Sequence, residues 1–315
     1  MSEFDLIQRY FTRATPGAVL GVGDDAALLK LSDGMELAVS TDMLVSGTHF
    51  FPDADPMLLG HKTLAVNLSD LAAMGATPRW ATLALSLPEV KESWLDKFSQ
   101  GFFSLAEQYG VELVGGDTTR GPLNLCVTIL GEVPKGKALR REGAKAGDDI
   151  WVSGTLGEAA LALAHLQSKI KLNQVKFATC AARLHQPLPR IALGRALSGI
   201  ANSAIDISDG LLADLGHILE RSKVGAELNY TAIRGVRVDG GGEDIVQRCV
   251  LAGGDDYELC FTAPSANRDA IQNISVTLAL PLTLIGKITK EPGCILRNAD
   301  DSLMQIKEQG YDHFG

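Results

Sequence analysis

Residues 56–87, PMLLGHKTLAVNLSDLAAMGATPRWATLALSL, decide the class of fold. Apolar residues recur at helical spacing in the first part, with Asp55 as a candidate N-cap and Pro56 at the first helical position. Gly75 ends this pattern as a C-terminal glycine should. The apolar run at 81–87 then has the character of a β-strand. A helix followed directly by a strand predicts a mixed fold of helices and sheet.

The same mixture continues on both sides of this stretch. A second helix is predicted up to Gly110, and Ser93 followed by Asp96 resembles a capping box at its start. Further strands are predicted at 36–40, 111–114, 123–133 and 149–152. The long strand-rich central run favours an α+β fold with α/β layers.

The second half of the chain repeats the pattern. Helices are predicted at 159–166, 191–198 and 211–221, strands at 204–207 and 257–262, and a loop at 240–242. Between these halves, near residues 139–149, the composition changes and a new predicted strand begins. We therefore expect two domains, residues 1–140 and 141–315.

Composition limits the classes of function. The chain of 315 residues has a net charge of −9, which would repel nucleic acid unless a strong basic patch existed. The densest basic spot, at 135–145, is too short for a nucleic-acid arm. Five cysteines without a CxxC pair argue against a disulfide framework or structural zinc and favour a reducing compartment. No apolar run approaches the roughly 20 residues that span a bilayer, so we expect a cytoplasmic protein.

Aspartates cluster at glycine-rich turns beside predicted apolar strands. The motifs are GVGDDAAL (21–28), AVSTDML (38–44), NLSDLAAMG (67–75), VGGDTTRGP (114–122), IDISDGLLADL (205–215) and GGDDYEL (253–259). An aspartate at a turn is commonplace, because its side chain bonds the local backbone. Six such motifs in one chain, several with paired acids, are harder to explain by turn chemistry alone.

Hard cations give a physical reason for this pattern. Magnesium takes oxygen ligands, usually one or two carboxylates per ion together with waters and substrate phosphates. Several ions on a triphosphate need carboxylates and hydroxyls from separate segments, as in Ser40-Thr41-Asp42 and the 206–209 stretch. Asp70 lies three residues after Asn67 on one helix face among apolar residues, and a buried carboxylate there would need a compensating cation or hydrogen bonds. A solvent-exposed helix aspartate is the alternative for Asp70.

Other catalytic signatures are missing from the sequence. The chain has no GxxxxGK[ST], GxSxG or HExxH motif and no HRD and DFG set. His49 lies in SGTHFFPDAD, a predicted loop after the Ser40-Thr41-Asp42 acid. Two interpretations of His49 are open: it contacts a substrate, or it is a loop residue without function.

The ordered set of motifs resembles one known family. GVGDDAAL, STDML, GTHF, NLSDLAAMGATP, GGDTTRGP, IDISDGL, GGDDYEL and GYDHFG are similar to the motifs of the thiamine-monophosphate kinase family, within the aminoimidazole ribonucleotide synthetase-like superfamily. The resemblance covers residues 4–314. NLSDLAAMGA and IDISDGL, in this order and at this distance, are its most specific parts.

The resemblance implies a fold and a reaction. It implies an N-terminal mixed-sheet domain that binds ATP and magnesium and forms a barrel across a homodimer, with a C-terminal α/β domain. It further implies phosphorylation of thiamine monophosphate to thiamine diphosphate, by direct in-line transfer of the γ-phosphate of ATP with several Mg²⁺ ions.

The resemblance also implies roles for individual residues. The metal ligands would be Asp25, Ser40, Thr41, Asp42, Asp70, Asp117, Asp206 and Asp209. The ATP contacts would be Gly116, Asp117, Arg141 and Ser208. The thiamine phosphate contacts would be His49, Asp255 and Tyr311. The catalytic centre would comprise Asp42, Asp70, Asp117 and Arg141. Position 255 departs from the family pattern GGEDYEL, because an aspartate stands where a glutamate is expected.

Two alternative functions are open. The chain could be another ATP-dependent synthetase of the superfamily, or a non-catalytic nucleotide-binding module. A selenophosphate synthetase should carry a reactive cysteine in an N-terminal glycine-rich loop, but the first cysteine is Cys126. Every acidic motif is present, whereas a binding module would tolerate losing several.

Overall fold

The computed structural model describes residues 2–238, 242–305 and 310–311. The chain packs into two units, of which the N-terminal unit holds residues up to 71 and 76–136. The C-terminal unit holds 72–75 and the residues from 137 onward. The chain therefore passes into the second unit at 136–137, whereas the sequence predicts a boundary at 140–141.

The N-terminal unit is built around one sheet. Its elements are the short helix α1 (Glu3–Leu6) leading into a π-helical turn (Ile7–Phe11), then β1 (Met35–Val45), α2 (Pro56–Ala73), β2 (Thr77–Leu87), α3 (Glu92–Tyr109), β3 (Glu112–Arg120) and β4 (Asn124–Pro134). The strand order is β1-β4-β2-β3, antiparallel except for the parallel pair β2 and β3. Strands β1 and β3 form its edges, so the described part of this unit holds an open sheet and no closed barrel.

The predicted ends of α2 are confirmed, and those of α3 only in part. Asp55 Oδ1 accepts the backbone N–H of Met57 at 2.8 Å, and Gly75 follows α2 with φ +68°. Helix α3 ends before Gly110, which has φ 66° in the left-handed region. The predicted capping box is wrong, because the helix begins at Glu92 and places Ser93 inside the first turn.

Helices α2 and α3 cross very closely at two glycines. A Cβ on Gly60 would lie 2.1 Å from the carbonyl oxygen of Phe98, and one on Gly101 would lie 1.9 Å from that of Met57. The rings of Trp94 and Phe98 stack beside this crossing, with centroids 4.9 Å apart. Only residues without a side chain allow the two backbones to approach so closely.

The C-terminal unit holds a larger sheet. Its elements are β5 (Asp149–Ser153), α4 (Glu158–Leu166), α5 (Gln174–His185), α6 (Ile191–Leu197), β6 (Ser203–Asp206), α7 (Leu211–Ser222), β7 (Gly225–Asn229), α8 (Glu243–Ala252), β8 (Leu259–Ala263), α9 (Arg268–Leu278), β9 (Leu282–Thr289) and β10 (Gly293–Arg297), with 3₁₀ turns at Tyr230–Ala232 and Ser265–Asn267. The strand order is β10-β7-β9-β5-β8-β6. All pairs are antiparallel except β7 with β10. The chain thus has a two-domain mixed α/β fold, as predicted at this level.

One ion pair with a buried aspartate and one pair of stacked aromatic rings lie at the centre of this second sheet. Asp149 on β5 is fully buried and pairs with both Arg268 Nε and Nη2, at 2.5 and 2.8 Å. Trp151 on the same strand stacks on Phe261 of β8, with centroids 6.4 Å apart. These contacts fix β5 in the middle of the sheet, between β9 and β8.

Two further findings concern the sequence predictions. Of the predicted loop at 240–242, residues 240 and 241 lie outside the described residues, and Gly242 is the N-cap of α8. Among the helices of the described ranges, none combines the length and apolar character that crossing a membrane requires.

Candidate functional site

In the N-terminal unit, β1 and α2 bring three of the predicted residues together. Ser40 Oγ donates a short hydrogen bond to Asp70 Oδ2, which joins strand to helix. Two residues along β1, the backbone N–H of Asp42 donates to Asn67 Oδ1 at 3.1 Å. The oxygens of Ser40 and Asp70 lie together, and Asp42 lies on the same side of β1 as Ser40; all three side chains carry hard donors, the type that magnesium prefers.

Asn67 is a residue of this cluster that the predicted site did not include. It is 1% exposed, and its Nδ2 donates to the carbonyl oxygen of Thr63 at 3.0 Å. This bond orients the amide so that its oxygen receives the N–H of Asp42. The spacing of Asn67 and Asp70 on one helix face was the available signal.

Two predicted acids of this unit lie in strands rather than in turns. Asp42 lies within β1, where it faces Val127 of β4. In the same row of the sheet, Val127 pairs with Leu83 of β2, and Leu83 pairs with Gly116 of β3. Three strand spacings, about 14 Å along the sheet, therefore separate Asp42 from Gly116 and its neighbour Asp117. The expectation that these aspartates occupy turns is wrong, because both extend regular strand pairing.

The remaining predicted residues of this unit lie apart from the Ser40 cluster. Thr41 alternates to the other side of β1, and its Oγ1 hydrogen-bonds Thr128 Oγ1 at 2.8 Å. Asp25 lies in an exposed loop, where its N–H donates to Asp24 Oδ1 at 2.9 Å. Gly116 packs so tightly on β2 that a Cβ would lie 1.9 Å from the carbonyl oxygen of Leu83.

His49 has a defined tautomer. The backbone N–H of Val45 donates to the ring Nδ1 of His49 at 3.0 Å, and the backbone N–H of His49 donates to the Val45 carbonyl at 2.9 Å. Because Nδ1 accepts a hydrogen bond, the neutral ring carries its proton on Nε2. An N–H at Nε2 is the type of group that can donate to an anion.

In the C-terminal unit, main-chain hydrogen bonds join three separate segments. The N–H of Asp255 donates to the carbonyl of Ser208 at 2.9 Å, and the N–H of Tyr311 donates to that of Asp209 at 3.0 Å. Asp206, at the end of β6, is 4% exposed. Five predicted residues, one from the last described segment of the chain, thus converge around the loop at 206–210.

The segment at 253–258 has an unusual backbone. Asp255 and Tyr257 have φ +69° and +50°, in the left-handed region that non-glycine residues rarely occupy. The Tyr257 hydroxyl donates to Asp255 Oδ1 at 3.1 Å, and the Tyr257 N–H donates to the carbonyl of Ile207 at 2.8 Å. The side chain of Tyr311, by contrast, is 52% exposed. Tyr257 is a second residue that the predicted site did not include.

Two carboxyls near these loops have raised pKa values. Burial, and next the charge of Asp209, raises the pKa of Asp214 to about 7, although three backbone N–H groups oppose the rise. Burial also raises the pKa of Asp256 well above its usual range, against the N–H of Gly157. Carboxyls with raised pKa values often lie at functional sites.

Arg141 contacts the end of α7 through its main chain. Its carbonyl oxygen accepts a hydrogen bond from Ser222 Oγ at 3.3 Å. The neighbouring Arg140 pairs instead with Glu142 at 2.9 Å. The guanidinium of Arg141 lies on an exposed side chain.

The donor set fits magnesium bound together with a substrate. Within the described ranges, no three His, Cys, Asp or Glu side chains form a complete cation site. Magnesium seldom uses such an all-protein cage, since one or two carboxylates and the phosphates of a substrate usually share it. The Ser40, Asp42 and Asp70 oxygens, and separately those of Asp206 and Asp209, match that incomplete type of site.

Comparison with protein families gives two matches. Residues 23–133 match the family described as AIR synthase related protein, N-terminal domain. Residues 145–297 match AIR synthase related protein, C-terminal domain.

Thiamine-monophosphate kinases are similar to the whole chain. That of Escherichia coli (strain K12) is 48% identical over 99% of this chain and 98% of its own length. That of Bacillus subtilis (strain 168) is 33% identical over the full length of both.

Solved structures share the fold. Thiamine-monophosphate kinase from Stenotrophomonas maltophilia K279a has a TM-score of 0.85 and 48% identity, covering 93% of this chain and 94% of that one. AaThiL complexed with AMPPCP and TMP has a TM-score of 0.78 and 29% identity, covering 99% and 96%. On the evidence of sequence and fold together, the chain belongs to the thiamine-monophosphate kinase family.

Proposed function

We propose that this chain transfers the γ-phosphate of ATP to thiamine monophosphate and so makes thiamine diphosphate. The observation that carries the proposal is 48% identity over 99% of the chain to a thiamine-monophosphate kinase. A structural relative binds AMPPCP, an ATP analogue, and TMP on the same fold. The full set of acidic motifs in this chain supports the same chemistry.

Several magnesium ions are part of the proposal. The ligands would be Asp25, Ser40, Thr41, Asp42, Asp70 and Asp117 from the N-terminal unit, with Asp206 and Asp209 from the C-terminal unit. When bound, magnesium neutralises phosphate charge and orients the transferring group. The hydrogen bond from Ser40 to Asp70 supports this assignment, because it leaves strand and helix oxygens side by side.

The chain's own residues would orient two anions for direct in-line transfer. Gly116, Asp117, Arg141 and Ser208 would contact ATP. The guanidinium of Arg141 would offset negative charge at the phosphates. No general base is needed, because a phosphate monoester is mostly ionised near neutral pH.

Thiamine monophosphate would be recognised by three residues. The Nε2–H of His49 suits a phosphate oxygen, because Nδ1 is already occupied by Val45. The carboxylate of Asp255 suits the thiazolium cation, and the exposed ring of Tyr311 supplies an aromatic surface. Tyr257 would hold the Asp255 carboxylate, which is one methylene shorter than the family's glutamate.

A symmetric homodimer completes the proposed assembly, with β1 at its interface. The outer side of β1 is an exposed apolar stripe, at Met35, Leu37, Val39 and Met43. β1 is also an edge strand. A second copy would cover this stripe and could extend the open sheet into a barrel. Residues 1–140 would then serve ATP binding and dimerisation, and five free cysteines favour a cytoplasmic location.

The first prediction tests the reaction and its acids together. Asp42→Ala and Asp70→Ala should each lower turnover by several orders of magnitude, because each removes a carboxylate that would hold magnesium at the phosphates. ADP release from ATP, with and without thiamine monophosphate, measures this and separates a kinase from a nucleotide-binding module. Asp33→Ala, at an exposed position before β1, is the matched control and should keep wild-type turnover.

Two results would count against the assignment. A folded Asp42→Ala or Asp70→Ala variant that keeps more than about a tenth of wild-type turnover, a loss below ~1.4 kcal/mol, removes that residue from the centre. ADP release that does not depend on thiamine monophosphate would instead favour another synthetase of the superfamily.

A further inference from the structure

Asp214, in the first turn of α7, binds the loop at 206–210 through one oxygen. Its Oδ2 accepts the backbone N–H groups of Ser208, Asp209 and Gly210, at 3.0, 3.1 and 3.1 Å. The residue is 2% exposed. Hydrogen bonds from backbone N–H groups to a carboxylate are among the stronger kinds in proteins, so this oxygen holds three consecutive residues in one conformation.

The carbonyl groups of the same loop are also used. Those of Ile207, Ser208 and Asp209 accept the N–H groups of Tyr257, Asp255 and Tyr311, at 2.8, 2.9 and 3.0 Å. The main chain of the loop is therefore fixed from two sides, by α7 and by the two segments that carry predicted substrate contacts. The side chains of Asp206, Ser208 and Asp209 bring two carboxylates and one hydroxyl to this loop.

This arrangement changes what the start of α7 can bind. Free N–H groups at a helix start usually make an anion site. Just before α7, the N–H groups of Ser208, Asp209 and Gly210 instead donate to Asp214 Oδ2, so Asp214 occupies the place that an anion would take on them. The loop presents carboxylates and a hydroxyl instead, which suit a cation.

We propose that Asp214 is a positioning residue, which holds the 206–210 loop ready to present Asp206, Ser208 and Asp209 to magnesium and ATP. This inference rests on the proposed function, since it assumes that these three residues meet the metal and the nucleotide. It assigns to Asp214 no contact with either ligand. It also assigns the main-chain N–H groups of residues 208–210 to Asp214 rather than to a phosphate, so the loop would meet its ligands through side chains.

The first test uses the wild-type protein without magnesium or nucleotide. If Asp214 fixes the loop in advance, the amides of residues 208–210 exchange slowly with deuterium in the free protein. Exchange as fast as that of an exposed loop would overturn the inference, because the loop would then not be formed before binding. This measurement needs neither a variant nor catalytic activity.

The second test compares two buried aspartates. Asp214→Asn keeps the shape but loses the charge, whereas Asp148→Asn alters a 5% exposed carboxylate that accepts the N–H of Lys145 and Asn202 Nδ2. AMPPCP binding is measured by calorimetry at increasing magnesium concentrations. We expect Asp214→Asn to need about tenfold more magnesium for half-maximal binding, the size of one lost charge-assisted hydrogen bond. Asp148→Asn should match wild type.

The magnesium response separates positioning from a general loss of stability. In Asp214→Asn, excess magnesium should restore binding and turnover, while the KM for thiamine monophosphate stays within twofold of wild type. An unchanged magnesium requirement in folded Asp214→Asn, or an equal shift in Asp148→Asn, would overturn the inference. If Asp214→Asn does not fold, the exchange measurement decides alone. A wild-type protein that binds AMPPCP with magnesium but does not phosphorylate thiamine monophosphate would refute only the proposed function.

Discussion

At the residue scale, the segment around Asp255 shows backbone strain at a proposed binding position. Asp255 and Tyr257 both have positive φ, and each such non-glycine residue costs about 1 kcal/mol or more. Their N–H groups donate to the carbonyls of Ser208 and Ile207, which helps to hold this conformation. The result is a carboxylate oriented by the hydroxyl of the residue two positions later.

Tyr257→Phe tests whether that orientation serves substrate binding. The substitution removes one hydrogen bond to the Asp255 carboxylate, so the KM for thiamine monophosphate should rise about tenfold, as expected for one hydrogen bond to a charged group. The KM for ATP should stay the same. Steady-state kinetics with each substrate varied in turn gives both constants. An equal rise for ATP, or no rise for either substrate, would contradict the proposed role of Asp255.

Asp256 predicts a pH dependence of stability. Burial raises its pKa in the folded protein, while the unfolded chain keeps a value of about 4. The folded state therefore binds the proton more tightly, and the carboxyl's contribution to stability is full below pH ~4 and declines as the pH rises towards the folded pKa. Asp256→Asn has no such ionisable proton. The melting temperature of the variant relative to wild type should therefore increase as the pH rises from 5 to 8.

Thermal unfolding in the presence of a chelator measures this difference. Asp300→Asn is the control, because hydrogen bonds from Ser302 lower the pKa of Asp300 and the carboxyl is ionised in both states throughout this range. The effect of that control substitution should not change with pH. The melting temperatures of Asp256→Asn and wild type could instead differ by a constant amount, or by an amount that falls as the pH rises. Either result would show that the Asp256 carboxyl is already ionised in the folded wild-type protein.

Part of the site could be read from single residues. Two of the acidic motifs do meet in the structure, since Ser40 on β1 bonds Asp70 on α2 and the N–H of Asp42 bonds Asn67 of the same helix. Asn67 and Asp214 were not predicted, because their function depends on which backbone N–H groups they meet. Those N–H groups become neighbours through loop geometry that composition does not encode.

At the element scale, helices with clear end residues were predicted well, whereas helices α5, α8 and α9 were not predicted. Helices α2 and α7 begin within a residue of their predicted starts, since their apolar stripes and end residues are local features. Strands β7, β9 and β10 were not predicted. Their pairing partners include segments far along the chain, so short segments such as Gly225–Asn229 carry little local signal.

Replacing glycine by alanine should change the free energy of unfolding in opposite directions at different helix positions. Gly60→Ala and Gly101→Ala should each destabilise the protein by about 1–3 kcal/mol, because the methyl group would overlap the backbone of the facing helix. Gly216→Ala in α7 should stabilise it by about 0.5–1 kcal/mol. Nothing lies within 4 Å of the position that its Cβ would take, and a cavity of 450 Å³ lies beside it.

Urea unfolding followed by circular dichroism measures all three variants. The Gly216→Ala variant serves as the matched control, since it makes the same chemical change in a helix without the close crossing. If Gly101→Ala were as stable as wild type, α2 and α3 would have to lie farther apart than the structure places them.

At the scale of the whole molecule, the two sides of β1 have different roles. Its inner side carries Ser40 and Asp42 towards α2, while its outer side exposes a row of apolar residues. A long edge strand with an exposed apolar side favours association with a second chain. If that partner is a second copy, dimerisation also stabilises the strand that carries the proposed ligands, which links assembly to activity.

Val39→Glu tests this link. Val39 is 54% exposed near the middle of the stripe, and a buried negative charge at a two-fold interface would lie near its symmetry mate, so the variant should sediment as a monomer where wild type is a dimer. Its turnover per chain should fall with the loss of the dimer. Val276→Glu is the control, because Val276 is 80% exposed on α9, an element of the C-terminal unit, and the same substitution there leaves the β1 stripe unchanged. A wild-type protein that is a monomer at micromolar concentration would contradict the proposed interface. So would a Val39→Glu dimer with unchanged sedimentation, because a carboxylate packed among the Met35, Leu37 and Met43 side chains would have to weaken that interface.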